Sequence, residues 1–203
     1  GESLVAKGAE FFIVPHGSPF RKTALEERAE AARARVAATG KPLIFLNQLA
    51  GQDEVLFEGA GFVTDAAGAV QYRLPQFEEA VALTRWKKEA GGWTCVEGPK
   101  AQWVGGEEMI YRAVTLAVHD YVTKNRFKGV VIGLSGGVDS ALTAAIAVDA
   151  LGADAVHCVM MPSRYTADIS RQDACAEADA LAVAGLVIFH ETTPSSPASS
   201  DPV

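Results

Sequence analysis

The chain has 203 residues, 49% of them hydrophobic, 21% charged and 8% aromatic, with 19 Gly and 9 Pro; this balance excludes a wholly disordered, collagen-like or low-complexity chain. The net charge of −7 is concentrated in the second half, where 6 basic residues face 12 acidic ones after Lys100, against 12 and 13 before it. Such a surface attracts neither nucleic acid nor an anionic membrane, no apolar run reaches the ~18 residues of a membrane span, and no secretory signal pattern opens the chain.

The length allows one large domain or two small ones, with a real core. Cys95, Cys158 and Cys175 show no CxxC spacing, which points away from a disulfide framework or zinc cage and toward a reducing cytoplasm. The chain opens at Gly1 and closes on TTPSSPASSDPV. A Ser/Pro-rich stretch of this kind does not pack, so we expect an unstructured tail over 192–203 and a piece of a longer protein.

In chain order, EFFIVP (10–15) reads as a buried strand. Thr23 and Glu26 have capping-box spacing, Gly40 can stop the helix, and Pro42 follows. PLIFLNQL (42–49) reads as a second buried strand and LFEGAGFVT as a third apolar stretch. Asp65 and Gly68 bracket a hairpin turn before AVQYRL. The economical arrangement is a mixed sheet with a helix on one face. Residues 85–106 break all periodicity and read as an inter-domain linker, with Trp86, Trp93 and Trp103 as anchors.

Residues 107–124 carry helical periodicity at Ile110, Val114, Ala117 and Tyr121. The run VVIGL after Gly129 is apolar on both faces, as in a central parallel strand. An Ala-rich helix (140–151) stopped by Gly152, a strand VHCVMM (156–161), a helix (170–184) and a weak strand LVIFH (186–190) follow. This β-α-β-α-β alternation predicts an α/β fold with a doubly wound, Rossmann-like parallel sheet.

The chemistry sits in Gly133-Leu134-Ser135-Gly136-Gly137-Val138-Asp139-Ser140, between a strand and a helix. Gly136 and Gly137 permit φ > 0 and close approach of a ligand. Successive N–H groups then face one anion-sized concavity, and the following helix adds its positive end. Ser135 and Ser140 supply hydroxyl donors. Asp139 beside phosphates implies a bridging divalent cation, Mg²⁺. The octet is neither GxxxxGK[ST] nor GxGxxG, and it holds no Lys for the usual γ-phosphate chemistry.

This octet resembles the pyrophosphate-binding loop of the ATP pyrophosphatase superfamily. The longer stretch GVVIGLSGGVDSALTAAIAVDALGADAVHCVMMPSRYT is similar to the synthetase domain of the bacterial glutamine-dependent NAD⁺ synthetase family. GAEFFIVPHGSPF and ARARVAATGKPLIFLNQLAGQDEVLFEGAGFV are similar to the later part of the nitrilase-like amidase (glutaminase) domain that precedes it in that family. The resemblance implies the C-terminal part of a nitrilase-like α/β sandwich over 1–84, a linker over 85–106 and the start of the synthetase domain over 107–191. It implies a carbon–nitrogen ligase that is cytoplasmic and homo-oligomeric, with ATP, Mg²⁺, deamido-NAD and glutamine or ammonia as cofactors and partners. The carboxylate of deamido-NAD attacks the α-phosphorus of ATP, pyrophosphate leaves, and ammonia displaces AMP.

By residue, the resemblance implies Gly133 to Ser140 as the ATP loop and Asp139 as a metal ligand. Met160 and Met161 fall at an adenine pocket, and Arg164 at a phosphate. Core filling and a solvated loop are the competing readings for these three. Ser18 matches a glutamine-contacting position. The family's Lys six residues later is Ala24 here, with Lys22 nearby. The family's Cys–Glu–Lys glutaminase residues fall outside this chain, so no catalytic residue is assigned in it. The alternatives are another SGGxDS-type ligase, or an ATP-binding module without catalysis.

Overall fold

The computed structural model describes residues 1–163, 165–183 and the backbone of 186–188. The chain divides into two compact units, residues 1–124 and residues 125 onward.

In the first unit a short helix α1 (Glu2–Ala6) leads to strand β1 (Phe12–His16), helix α2 (Ala24–Thr39) and strand β2 (Leu43–Asn47). Strands β3 (Leu49–Gln52), β4 (Val55–Glu58), β5 (Phe62–Thr64) and β6 (Val70–Arg73) follow. The main sheet runs β1-β2-β5-β6. It is mixed as expected: β1 lies parallel to β2, while β2–β5 and β5–β6 are antiparallel. Asp65 Oδ1 accepts from the N–H groups of Ala67 and Ala69, and Gly68 takes φ 86°, which closes the β5–β6 turn.

The core lies where α2 meets this sheet, through Phe12, Ala32, Val36, Leu43, Phe45 and Phe62. Gly40 ends α2 in the left-handed region at φ 63°. The capping box does not form. Thr23 Oγ1 donates to Glu27 instead of capping a backbone N–H, because Thr23 already has helix-like dihedrals. The reading of β1 as buried is corrected too. It is the outer strand of the sheet among the described residues, and only Phe12 is buried, with Ile13 58% exposed.

Residues 85–106 are not a featureless linker. They contain the antiparallel hairpin of β7 (Arg85–Glu89) and β8 (Gly92–Glu97). Trp86 stacks on Phe11 and Trp93 meets Phe11 edge-on while its Nε1 donates to Glu10. Trp103 packs against Phe62 and donates to the Leu74 carbonyl. Helix α3 (Gly106–Lys124) belongs to this first unit and packs on β3.

The second unit contains β9 (Val130–Gly133), α4 (Val138–Leu151), a 3-10 turn (Ala153–Ala155), β10 (Val156–Met160), α5 (Asp168–Ala180) and β11 (Leu186–Ile188). The strands form a parallel sheet in the order β11-β10-β9. This is the α/β architecture read from the alternation. Its core contains Leu134, Ala144, Ala147, Val156, Cys158, Met160, Ala174, Ala178 and Val183. Small alanines on α4 and α5 allow the helices to lie close to the strands. Among the described residues β9 is an outer strand rather than a central one, and Val131 is 72% exposed. Arg164, the end of the last strand at 189–190 and the tail at 192–203 lie outside the described residues.

Candidate nucleotide and ligand sites

The loop between β9 and α4 carries the sequence octet. Gly133 pairs with Val159 on β10, and the Leu134 N–H donates to the Val159 carbonyl at 2.8 Å. Leu134 is buried, so its side chain anchors the loop in the core. Gly136 takes φ 77°. A side chain there would also overlap the carbonyl of Ser170, in the first turn of α5. Two independent constraints therefore require glycine at this position.

Gly137 is the N-cap of α4, with extended dihedrals. No side chain caps the first turn through a hydrogen bond, which leaves the helix N–H groups directed at the loop. Ser140 Oγ donates to the Gly137 carbonyl at 2.8 Å and accepts from the Ser135 N–H at 3.2 Å. The two serine hydroxyls lie 3.0 Å apart, and Ser135 Oγ accepts from the Gly137 N–H at 3.3 Å. The serines thus hold the loop in shape from inside. Asp139 stands exposed in the first turn of α4 and makes no ion pair among the described residues.

A cleft of about 230 Å³ opens beside the loop, lined by Gly133, Leu134, Ser135, Val159, Met160, Met161, Pro162 and Thr166. Met160 is 2% exposed and belongs to the core, while Met161 is 71% exposed. The two methionines therefore differ: one fills the interior and the other stands at the mouth. Thr166 Oγ1 accepts from the Ser163 N–H at 2.9 Å and so orders the rim. The contributions of Ser170 and Thr166 were not legible in the octet, since both come from a later segment.

In the first unit, the peptide of Ser18 is held from several sides. Its N–H donates to Asn47 Oδ1 at 2.9 Å, and its carbonyl accepts from Asn47 Nδ2 at 3.1 Å and from Arg28 at 2.8 Å. Arg28 is itself paired with Glu58 at 2.6 Å, with 5% and 1% of the two side chains exposed. Sequence reading missed this pair, although a signal was present. Ala24, Arg28, Ala32 and Val36 are the buried residues of α2, and at four-residue spacing one of them is a charge.

The cysteines are all free. Burial pushes the thiols of Cys95 and Cys158 up; for Cys158 the charge of Glu177 adds to this, while for Cys95 a hydrogen bond with the Glu97 backbone opposes it. Cys175 is exposed on α5. Among the described residues no group of three or more His, Cys, Asp or Glu is placed to hold a metal ion. No helix there is long and apolar enough to cross a membrane.

Comparison with known proteins is specific. Residues 110–192 match the family model described as NAD synthase. The glutamine-dependent NAD(+) synthetase of Rhodobacter capsulatus is 50% identical over 172 residues, which is 85% of this chain and 31% of that protein. The chain is related to the glutamine-dependent NAD(+) synthetases. The synthetase of that name from Xylella fastidiosa is 37% identical over 88% of this chain and 33% of its own length. The solved structure of glutamine-dependent NAD+ synthetase from Acinetobacter baumannii, in complex with ADP, superposes with a TM-score of 0.84 at 33% identity, over 93% of this chain and 35% of that one. The chain spans about a third of the length of these NAD(+) synthetases. The family match begins inside α3, which packs with the first unit.

Proposed function

We propose that this chain serves glutamine-dependent NAD⁺ synthesis, as a carbon–nitrogen ligase whose ATP site is the loop Gly133–Ser140. The observation that carries the reading is the strand–glycine turn–helix geometry of that loop, fixed by the Gly136–Ser170 approach, within the NAD synthase match. In this reading residues 107–191 derive from the synthetase domain, residues 1–84 from a nitrilase-like glutaminase domain, and 85–106 join them.

The N–H groups of the loop and the start of α4 bind the phosphates of ATP and stabilise the charge on departing pyrophosphate. Met161, and Met160 behind it, line the wall that takes adenine. Arg164 meets a phosphate. The carboxylate of deamido-NAD attacks the α-phosphorus, and ammonia then displaces AMP from the acyl adenylate. The ADP complex of the Acinetobacter relative supports an adenine nucleotide as ligand.

The residues present fit Mg²⁺. A single exposed carboxylate, Asp139, suffices for an ion that takes its other ligands from phosphates and water. Asp139 would hold it, and the ion supplies neutralisation of phosphate charge.

Ser18 contacts glutamine, and its hydroxyl forms no hydrogen bond within the described residues. No cysteine of this chain is the glutaminase nucleophile. Cys95 and Cys158 are buried with raised thiols, and Cys175 lies mid-helix with no activating pair among the described residues. Three free thiols fit a cytoplasmic protein, and assembly as a homo-oligomer completes the reading.

The test is exchange of labelled pyrophosphate into ATP by the intact gene product. Exchange is expected with deamido-NAD and Mg²⁺, and not with NAD⁺, which lacks the reacting carboxylate. Exchange that ignores deamido-NAD would overturn the proposed substrate.

A further inference from the structure

We propose that Arg28, Glu58 and Asn47 are positioning residues that lock the Ser18–Pro19 peptides so that the Ser18 hydroxyl is presented to a ligand; the identity of that ligand as glutamine rests on the reading above. Arg28 reaches the carbonyls of both Ser18 and Pro19, at 2.8 and 3.2 Å. Glu58 receives Arg28 through both carboxylate oxygens, at 2.6 and 3.3 Å. Asn47 closes the other side with a donor and an acceptor to the same residue, Ser18. Two residues further on, the Phe20 N–H donates to the Leu56 carbonyl at 2.6 Å. Every backbone polar group of Ser18 is thus occupied, and its hydroxyl remains as the group to meet a partner.

The energetics favour positioning over stability. A buried ion pair rarely repays its desolvation, and an apolar pair of similar volume often replaces it without loss. This pair also carries a cost of its own, since Arg28 Nε is buried with no hydrogen-bond partner. What an apolar pair could not do is hold the two carbonyls. The short segment after β1 contains Pro19 and Gly17 and has no ladder bonds of its own, so its shape depends on these side chains.

The experiment uses the chain as it stands, with backbone NMR on the wild type, the Arg28→Met/Glu58→Leu double variant and the Asn47→Asp variant. Asn47→Asp keeps the acceptor for the Ser18 N–H and turns the donor into an oxygen facing the Ser18 carbonyl. The readouts are hydrogen exchange at the Ser18 amide, the melting temperature, and the Ser18 shift on addition of L-glutamine. The double variant is expected to keep its melting temperature while Ser18 exchange rises about tenfold or more, and Asn47→Asp to raise it likewise. Unchanged Ser18 exchange in either variant would overturn the proposal. So would a double variant that exchanges faster only because the whole unit melts lower, since the pair would then be structural. L-Glutamine shifting Ser18 in the wild type, and less in the variants, supports the ligand as well. Absence of that shift in the wild type removes glutamine as the ligand and leaves the lock standing on its exchange data.

Discussion

The backbone N–H of Gly51 donates to Asp120 Oδ2 at 2.6 Å, and a side chain on Gly51 would come within 3.0 Å of Asp120 Cβ and 3.3 Å of Ala117 Cα. A helix and a strand separated by 69 positions in sequence are thereby brought into backbone contact. Lys124 completes the clasp, donating to the Gly51 carbonyl at 2.7 Å and to Asp120 at 2.8 Å. This contact is why α3 travels with the first unit.

Gly51→Ala is expected to destabilise the first unit by about 1–3 kcal/mol, because packed backbone must move to admit the methyl. Thermal melting of the variant checks this; an unchanged melting temperature would mean that the helix is free to shift.

The same clasp gives a pH dependence. Burial alone would raise the Asp120 carboxyl, but hydrogen bonds from Lys124, Gly51 and His119 outweigh it and hold Asp120 below the ordinary aspartate value. A depressed folded value stabilises above the unfolded pKa, about 3.9, and that stability is lost as pH falls through the folded value. The melting temperature of the wild type should therefore exceed that of Asp120→Asn at neutral pH. The gap should close on acidification below about pH 4. A gap that is constant down to pH 2 would show that the charge contributes nothing.

Thiol labelling should separate the cysteines. Cys175 is expected to react with a maleimide in the native chain, while Cys95 and Cys158 react only on unfolding. Mass spectrometry of the labelled peptides reads this directly, and native labelling of Cys158 would contradict the packing of β10.

Much of the second unit was legible in the sequence. The alternation of apolar runs and helical segments marks β9, α4, β10 and α5, and Gly152 stops α4 as expected. The octet marks the candidate site because its residue types have few other uses between a strand and a helix. What the sequence hides is contact at a distance. Ser170 constrains Gly136 from 34 positions away in numbering, and no local pattern reports it. The hairpin over 85–97 was missed because its register shifts at Arg85–Trp86 and its faces alternate poorly, with Lys, Glu and Gly among its residues. β9 and β1 read as buried because apolar runs report composition, not whether a neighbouring strand is present. The capping box failed for a local reason: the spacing was right, but Thr23 takes helix-like dihedrals and its hydroxyl donates to Glu27.

Glycine 136 offers a further check on the loop. Gly136→Ala meets both an unfavourable φ and the Ser170 carbonyl, so a loss of about 2–4 kcal/mol is expected in the second unit. Gly133→Ala has open space around it and no such backbone demand; its cost should be small. Chemical denaturation of the two variants side by side checks this, and equal losses would mean that the α5 contact is not a constraint.

Titration calorimetry of ATP with Mg²⁺ into this chain probes the proposed binding of ATP phosphates by residues 133–140. Binding by the wild type is expected, with inorganic pyrophosphate competing. Affinity is expected to be lower by about tenfold or more in Ser140→Ala, which loses the hydroxyl that braces the loop, and in Asp139→Asn. Binding of equal strength in both variants, or no competition by pyrophosphate, would contradict that proposal.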